Sequence, residues 1–154
     1  MKKYFTTKLL KANIITVFIF SAIGIGNTVD IDVKYLPLTV KAFISDNLKS
    51  EEITNCWREN SGYKIATESG TEIEFSQKGE WNNIKNNKNG ISRILVNLLP
   101  YPASLYLKTN YNNVAVDKIK RDNNYYRVEL KTIPQKSILL FTKNGKMKKV
   151  LKDY

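Results

Sequence analysis

The stretch LPLTVKAFISDNL, from Leu36 to Leu48, returns later in the chain as LPYPASLYLKTNY, from Leu99 to Tyr111. Two further segments repeat in the same order. The pair Tyr-x-Ile at 63–65 returns at the same shift as Tyr-x-Val at 126–128, and FSQKGEW at 75–81 returns as FTKNGKM at 141–147. The last shift is longer by three positions, which fall around 132–137. A repeat kept in register across helix-like, strand-like and turn segments predicts two copies of one supersecondary unit sharing a core.

Each copy reads as one amphipathic helix followed by an antiparallel meander. Pro37 stands at the favoured first turn of a helix, and Val40, Phe43, Ile44 and Leu48 recur on one face of it. The segments that follow alternate apolar and polar residues between turn signals, as strands do. We therefore predict an α+β fold: six to eight strands from the two units in one antiparallel sheet, with helices on one face and the other face at least partly open to solvent. The aromatic residues at repeated positions are expected in the core, namely Tyr63, Phe75, Trp81, Tyr106, Tyr126 and Phe141.

The repeat also sets the expected domain organisation. Residues 36–151 form one domain of two repeats, 36–85 and 91–151, and the polar segment 85–90 between them reads as a flexible linker. Residues 27–35 form a lead-in that is either an edge strand or a mobile linker.

The first 26 residues read as a secretory signal peptide. Four lysines precede an apolar run of 14 residues, 12–25, and Gly24 and Gly26 are small residues at the −3 and −1 positions of a cleavage site. A retained membrane anchor is the alternative, but the run is shorter than the roughly 20 residues of a spanning helix. We therefore expect an exported protein, periplasmic or extracellular, with no membrane span after cleavage.

The chain is basic, with a net charge of +11, which falls to +7 once the four lysines of the signal are removed. Lysine supplies 21 of the 25 basic residues, and the lysines are spread along the chain. Nucleic-acid binding favours clustered Arg and Lys with stacking aromatics, so we expect no nucleic-acid partner.

The sequence offers few groups for catalysis or metal binding. It contains no His and a single Cys, Cys56, which excludes His-based triads and Cys-rich metal sites. Glu72 and Glu74 share a strand face, a spacing typical of the solvated side of a half-buried strand. Asp30 and Asp32 are too few for Ca²⁺, which takes six or more oxygens. We expect no catalytic residues, no metal, no cofactor and a buried, unreactive Cys56.

The repeated landmarks resemble the PepSY-like family of beta-lactamase-inhibitor-like proteins. They include the Leu-Pro helix start, the Tyr-x-Ile strand, and the segments EIEFSQKGEW at 72–81, DKIKR at 117–121 and YRVEL at 126–130. The resemblance implies an exported tandem αβ-repeat sheet without catalytic residues that binds or inhibits another envelope protein. The chain departs from the pattern at Met147, where the first copy has Trp81, and in the longer loop at 132–137.

The leading hypothesis is a non-enzymatic binding or inhibitor-like module whose partner is an envelope or secreted protein. Trp57, Tyr125 and Arg127 are the candidate partner-binding residues, because Tyr, Trp and Arg are enriched at binding hot spots. Tyr125 and Arg127 alternate on one strand face. The alternatives are a small-ligand or peptide-sensing envelope module, an enzyme using carboxylates, and a structural envelope component. The oligomeric state is left open.

Overall fold

A single antiparallel sheet of nine strands, ordered as they occur in the chain, forms the body of the protein. The computed structural model describes residues 28–152, so the predicted signal peptide lies outside the described residues. The strands are β1 Val29–Asp30, β2 Ile53–Glu59, β3 Gly62–Thr67, β4 Glu72–Ser76, β5 Trp81–Lys85, β6 Val116–Arg121, β7 Tyr125–Leu130, β8 Ser137–Thr142 and β9 Met147–Lys152. The α+β sheet is thus confirmed, and the two repeats contribute eight strands, which lies within the six to eight expected of them. The lead-in contributes a ninth strand, because Val29 and Asp30 pair with Arg58 and Trp57.

The helices follow the sequence pattern. A 3₁₀ turn at Val33–Tyr35 precedes α1 at Leu38–Asn47, a short α2 spans Arg93–Val96, and α3 spans Tyr101–Asn110. Pro37 and Pro100 stand immediately before the long helices. The two long helices lie one repeat shift apart, so the same start signal sets both.

The repeat extends to the irregularities of the sheet. A β-bulge falls at Thr54 of β2 and again at the equivalent Asp117 of β6. A second bulge falls at Asn82 of β5, opposite Glu74 and Phe75, and again at the equivalent Lys148 of β9, opposite Leu140 and Phe141. Bulges bend a strand and increase its twist, so both copies carry the same local curvature.

Each long helix packs on its own half of the sheet through an aromatic pair. Phe43 of α1 meets Phe75 of β4 edge to face with ring centroids 5.2 Å apart. Tyr106 of α3 meets Phe141 of β8 in the same way at 5.8 Å. Because these four residues are equivalent in the repeat, the two helices lie on the same face of the sheet.

Glycine allows the last hairpin of each copy to approach the start of its helix. Gly79 and Gly145 have φ of +80° and +81°, a region that side chains rarely adopt. A Cβ at Gly79 would overlap Thr39 Oγ1, and one at Gly145 would lie 2.8 Å from Pro100 Cβ. The Gly-x-Trp and Gly-x-Met landmarks are therefore packing constraints as well as turn signals.

One apolar core lies between the sheet and the helices. Phe75, Trp81 and Phe141 are buried as predicted, while Tyr63, Tyr106 and Tyr126 pack against the core as its partly buried members. Cys56 is also buried, and burial raises the pKa of its thiol, which keeps it protonated at neutral pH.

The polar segment 85–90 is not the flexible linker that its composition predicted. Asn86 is buried, and its amide donates to Ser69 O and Thr71 Oγ1 while its Oδ1 accepts from the backbone N–H groups of Lys88 and Asn89. These hydrogen bonds fix the connection between the two copies. Composition alone could not predict these hydrogen bonds, because the sequence does not distinguish the buried Asn86 from the exposed polar residues beside it.

Trp81 provides a test of this core. Its ring is 8% exposed, lies 6.2 Å from Tyr126 and is covered by the guanidinium of Arg121 at 5.0 Å. We expect Trp81→Ala to lower the free energy of unfolding by about 3–5 kcal/mol, measured by chemical denaturation. Trp57→Ala, on the opposite face, is the control and should cost much less. An unchanged stability in Trp81→Ala would contradict a core role.

Candidate functional site

The sheet face opposite the helices, called here the open face, carries all three residues predicted to bind a partner. Trp57 of β2 and Arg127 of β7 lie in the same cross-strand row, and Tyr125 lies two residues from Arg127 on the same face. Five strand spacings of about 4.8 Å separate β2 from β7, a distance of about 24 Å. Tyr125 and Arg127 can therefore act together, and Trp57 belongs to a different region.

The first copy contributes the half of the open face in which the charged side chains pair with one another. Glu72 lies between Lys64 and Lys85 and pairs with both, the Lys85 Nζ at 3.2 Å. Glu74 accepts a hydrogen bond of 3.0 Å from Asn83. The Lys64 ammonium also lies over the Trp57 ring at 5.2 Å. The polar groups of this half are largely paired with one another.

The ion pairs around Glu72 alter its acidity. Partial burial acts to raise the pKa of the carboxyl, but hydrogen bonds and charge from Lys64 and Lys85 outweigh it, so the pKa lies below its ordinary value. Both carboxylates that could have served an enzyme are thus engaged in structural contacts of the sheet.

The second copy contributes a half of a different character, called here the basic-apolar patch. Register places its residues side by side on this half of the open face. The patch consists of Lys118, Lys120, Tyr125, Arg127, Leu140, Lys149 and Leu151, and it encloses Glu129 and Ile138, which lie between Lys118 and Leu151 in the register. Lys120 and Lys149 are exposed, Tyr125 is 38% exposed, and Leu140 and Leu151 are half-buried. No acidic side chain of the described residues pairs with Lys118 or Lys120 within 4 Å.

The two predicted residues of the patch are held in place by acidic neighbours. Arg127 Nε lies 3.3 Å from Glu129 Oε1 along the same strand. The Tyr125 hydroxyl donates a hydrogen bond to the Asp122 carboxylate, and this bond and the nearby negative charge raise the pKa of the phenol, which stays protonated at neutral pH. Both side chains are therefore oriented, and Arg127 has further N–H donors besides the one that faces Glu129.

The charge of the chain is concentrated in the second copy. Residues 36–85 contain 6 basic and 8 acidic residues, whereas residues 91–151 contain 12 basic and 3 acidic residues. The lysines do occur in both copies, but of the two copies only the second has more basic than acidic residues. Counting the charged residues of each copy separately would have revealed this excess. The alternation Lys118-Ile119-Lys120, with Ile119 in the core, would have placed the two lysines on the open face.

A groove of about 730 Å³ lies on the helix side of the second copy. The groove is lined by α2, α3 and the segment 111–116, and it includes Arg93, Tyr101, Leu105 and Lys108. All of the lining residues lie within residues 89–116, and sequence reasoning did not identify them as a group because no motif marks them.

The remaining candidate groups have structural roles. Asp32 accepts a hydrogen bond from the backbone N–H of Lys34, which lowers the pKa of its carboxyl. Within residues 28–152, no three His, Cys, Asp or Glu side chains are arranged to hold a metal ion. None of the helices in this range is long and apolar enough to cross a membrane.

Comparison with known proteins agrees with the repeat. A family model described as "Putative beta-lactamase-inhibitor-like, PepSY-like" matches the chain twice, over residues 25–70 and 63–149. Among curated proteins, none matches the chain.

Three solved structures share the fold. A "putative calcium-regulated periplasmic protein" from Bacteroides thetaiotaomicron is 23% identical with a TM-score of 0.70, covering 80% of this chain and 96% of that one. A periplasmic protein of unknown function from Bacteroides vulgatus is 24% identical with a TM-score of 0.69, covering 81% and 99%. A periplasmic DUF2874 protein from the same species is 22% identical with a TM-score of 0.68, covering 81% and 97%. At these identities the likeness concerns the fold alone.

The network around Glu72 predicts a pH-dependent stability. Because the folded-state pKa of Glu72 lies below its ordinary value, its ion pairs stabilise the fold at neutral pH, and this contribution is lost as pH falls below the ordinary Glu pKa of about 4.3. Glu72→Gln should therefore be less stable by up to about 1 kcal/mol at pH 7. The difference should shrink towards pH 3 in urea unfolding.

Glu68→Gln, which removes the same charge from an exposed position, is the control. A difference between wild type and Glu72→Gln that stays constant from neutral to acid pH would refute the role of these ion pairs.

Proposed function

The chain belongs to the PepSY-like family, and from this premise we propose that it is an exported, non-enzymatic protein-binding module of the bacterial cell envelope. The beta-lactamase-inhibitor-like description of the family and the periplasmic description of proteins with the same fold support this location and role. Residues 1–26 act in this proposal as the secretory signal, and the part that remains after cleavage carries the sheet.

The observation that carries the proposal is the contrast between the two halves of the open face. The first half pairs its charges internally, through Glu72 with Lys64 and Lys85. The second half leaves Lys118 and Lys120 without an acidic partner among the described residues, on the same half as the apolar side chains of the patch. An uncovered surface that combines cations, an aromatic ring and aliphatic side chains is typical of a protein interface.

The composition of the patch indicates the chemistry of the partner. Its four basic side chains favour a partner surface rich in Asp and Glu, because complementary charge speeds association and excludes basic competitors. Arg127 supplies hydrogen-bond donors for carboxylates, and Tyr125 and Leu140 supply aromatic and aliphatic contact area. The partner is thus an acidic envelope or secreted protein, and the complex should weaken as salt is raised.

Affinity capture from the source cells tests the proposal. The bait is the full chain, processed as in the cell, and the extract is treated with nuclease so that nucleic acid cannot bridge. We expect one acidic protein to be enriched by the native bait. The double variant Tyr125→Ala/Arg127→Ala and the charge reversal Lys120→Glu should each weaken its binding by at least about tenfold.

Trp57→Ala is the matched control, because it removes an aromatic side chain from the other half of the open face, and it should bind as the native bait does. Thermal melts of every variant establish that it is folded. Failure of the native bait to retain any specific protein, or equal retention by Lys120→Glu, would exclude a binding role for the patch.

A second candidate function is a small-ligand-sensing module, and the helix-side groove favours it. The groove volume of about 730 Å³ falls in the range of small-molecule sites. Because the groove and the patch lie on opposite faces of the sheet, the two functions can be tested separately.

A further inference from the structure

The groove combines a buried apolar wall with an exposed rim. Leu99, Leu107 and Val116 line it and are each no more than 8% exposed. Tyr101 and Leu105 also line it and are 76% and 44% exposed. Large apolar side chains left this open beside a buried apolar wall are a favourable surface for the hydrocarbon part of a ligand.

The charge of the groove has one sign. Arg93 and Lys108 line it, and none of its lining residues is Asp or Glu. Within the described part of the chain, neither cation takes part in an ion pair. The groove therefore offers two uncompensated cations to an anionic group, which forms stronger hydrogen bonds to them than a neutral group does.

The equivalent positions in the first copy of the repeat lack the large exposed apolar side chains and the positive charge of the groove. Over the long helix and the segment that follows, the two copies align without gaps. The shift in residue number from the start of α1 to the start of α3 equals the shift from the start of β2 to the start of β6. The groove residues Tyr101, Leu105, Lys108, Val114 and Ala115 correspond to Leu38, Ala42, Ser45, Glu51 and Glu52. The second copy thus has larger apolar groups on its helix, one added cation and no acids where the first has two.

We infer that the groove binds a small amphipathic carboxylate, with its hydrocarbon chain along the apolar wall and its carboxylate at Arg93 and Lys108. The inference rests on the second candidate function and names its ligand class. It is independent of the basic-apolar patch, whose residues lie on the other face of the sheet.

Three probes with the same eight-carbon chain test the ligand class: octanoate, 1-octanol and octylammonium. Each is titrated into the ¹⁵N-labelled full-length protein and followed by NMR, the two ions below their micelle concentrations and 1-octanol below its solubility limit. We expect saturable shifts at the amides of Leu105, Lys108 and Val114 but not at Arg127. Octanoate should bind at least about tenfold more tightly than octylammonium.

Two variants separate charge from apolar contact. Arg93→Gln/Lys108→Ser should abolish the preference for octanoate while keeping octanol binding. Tyr101→Leu/Leu105→Ala/Lys108→Ser, which restores the residues of the first copy, should weaken octanoate by about tenfold or more. All four positions are exposed, so both variants should keep the native NMR spectrum away from the groove.

The outcomes distinguish a small-ligand site in the groove from the specific assignment of a carboxylate as its ligand. Equal binding of all three probes at the groove would overturn the carboxylate while retaining a small-ligand site. Absence of saturable binding by any probe, or shifts that map elsewhere, would overturn both.

Discussion

An edge-to-face contact between a helix aromatic and a strand phenylalanine, made once in each copy, is the constraint on which the rest of the structure depends. Phe43 with Phe75 and Tyr106 with Phe141 hold both long helices on the same face of the sheet. With the strands in chain order, that arrangement puts one continuous core under the helices. No helix of the described chain remains to cover the second face, so its side chains must be compatible with water. The open face is therefore a consequence of the packing.

The positions that maintain this packing are similar in the two copies, and the positions on the surface are not. Both copies keep the aromatic pair, the two bulges and the glycine that lets the last hairpin approach the helix. The surfaces differ in charge: the first copy is slightly acidic and the second strongly basic. Packing explains the shared residues, because core substitutions cost several kcal/mol. It does not require the difference in charge, since surface substitutions are usually close to neutral for stability.

Much of the fold could be predicted from the sequence, because each helix and strand of one repeat has an equivalent in the other, and the two sequence patterns support the same assignment. Pro37 and Pro100 mark equivalent helix starts, and the alternation around Ile65 and Val128 marks equivalent strands. Two structural features could not be predicted from the sequence. The pairing of the lead-in with β2 depends on a partner far away in sequence, and the burial of Asn86 depends on hydrogen bonds to distant groups. The candidate site was only partly predictable, since strand register decides that Lys120 lies beside Arg127, and the groove depends on how the consecutive segments within 89–116 pack on one another.

The repeat makes the first copy an internal reference for the second. A residue that packing fixes should be similar in both copies, so packing does not explain a surface difference at equivalent positions. Such differences occur on both faces of the second copy: Leu140 stands where the first copy has Glu74, and Val114 where it has Glu51. In both places an acidic residue is replaced by an apolar one, on a surface whose cations include several with no acidic partner among the described residues. Removing acids while keeping cations raises the self-repulsion of the folded chain, which does not favour stability. A bound partner that carries negative charge would offset that repulsion, and this is the physical reason to look for function in the second copy.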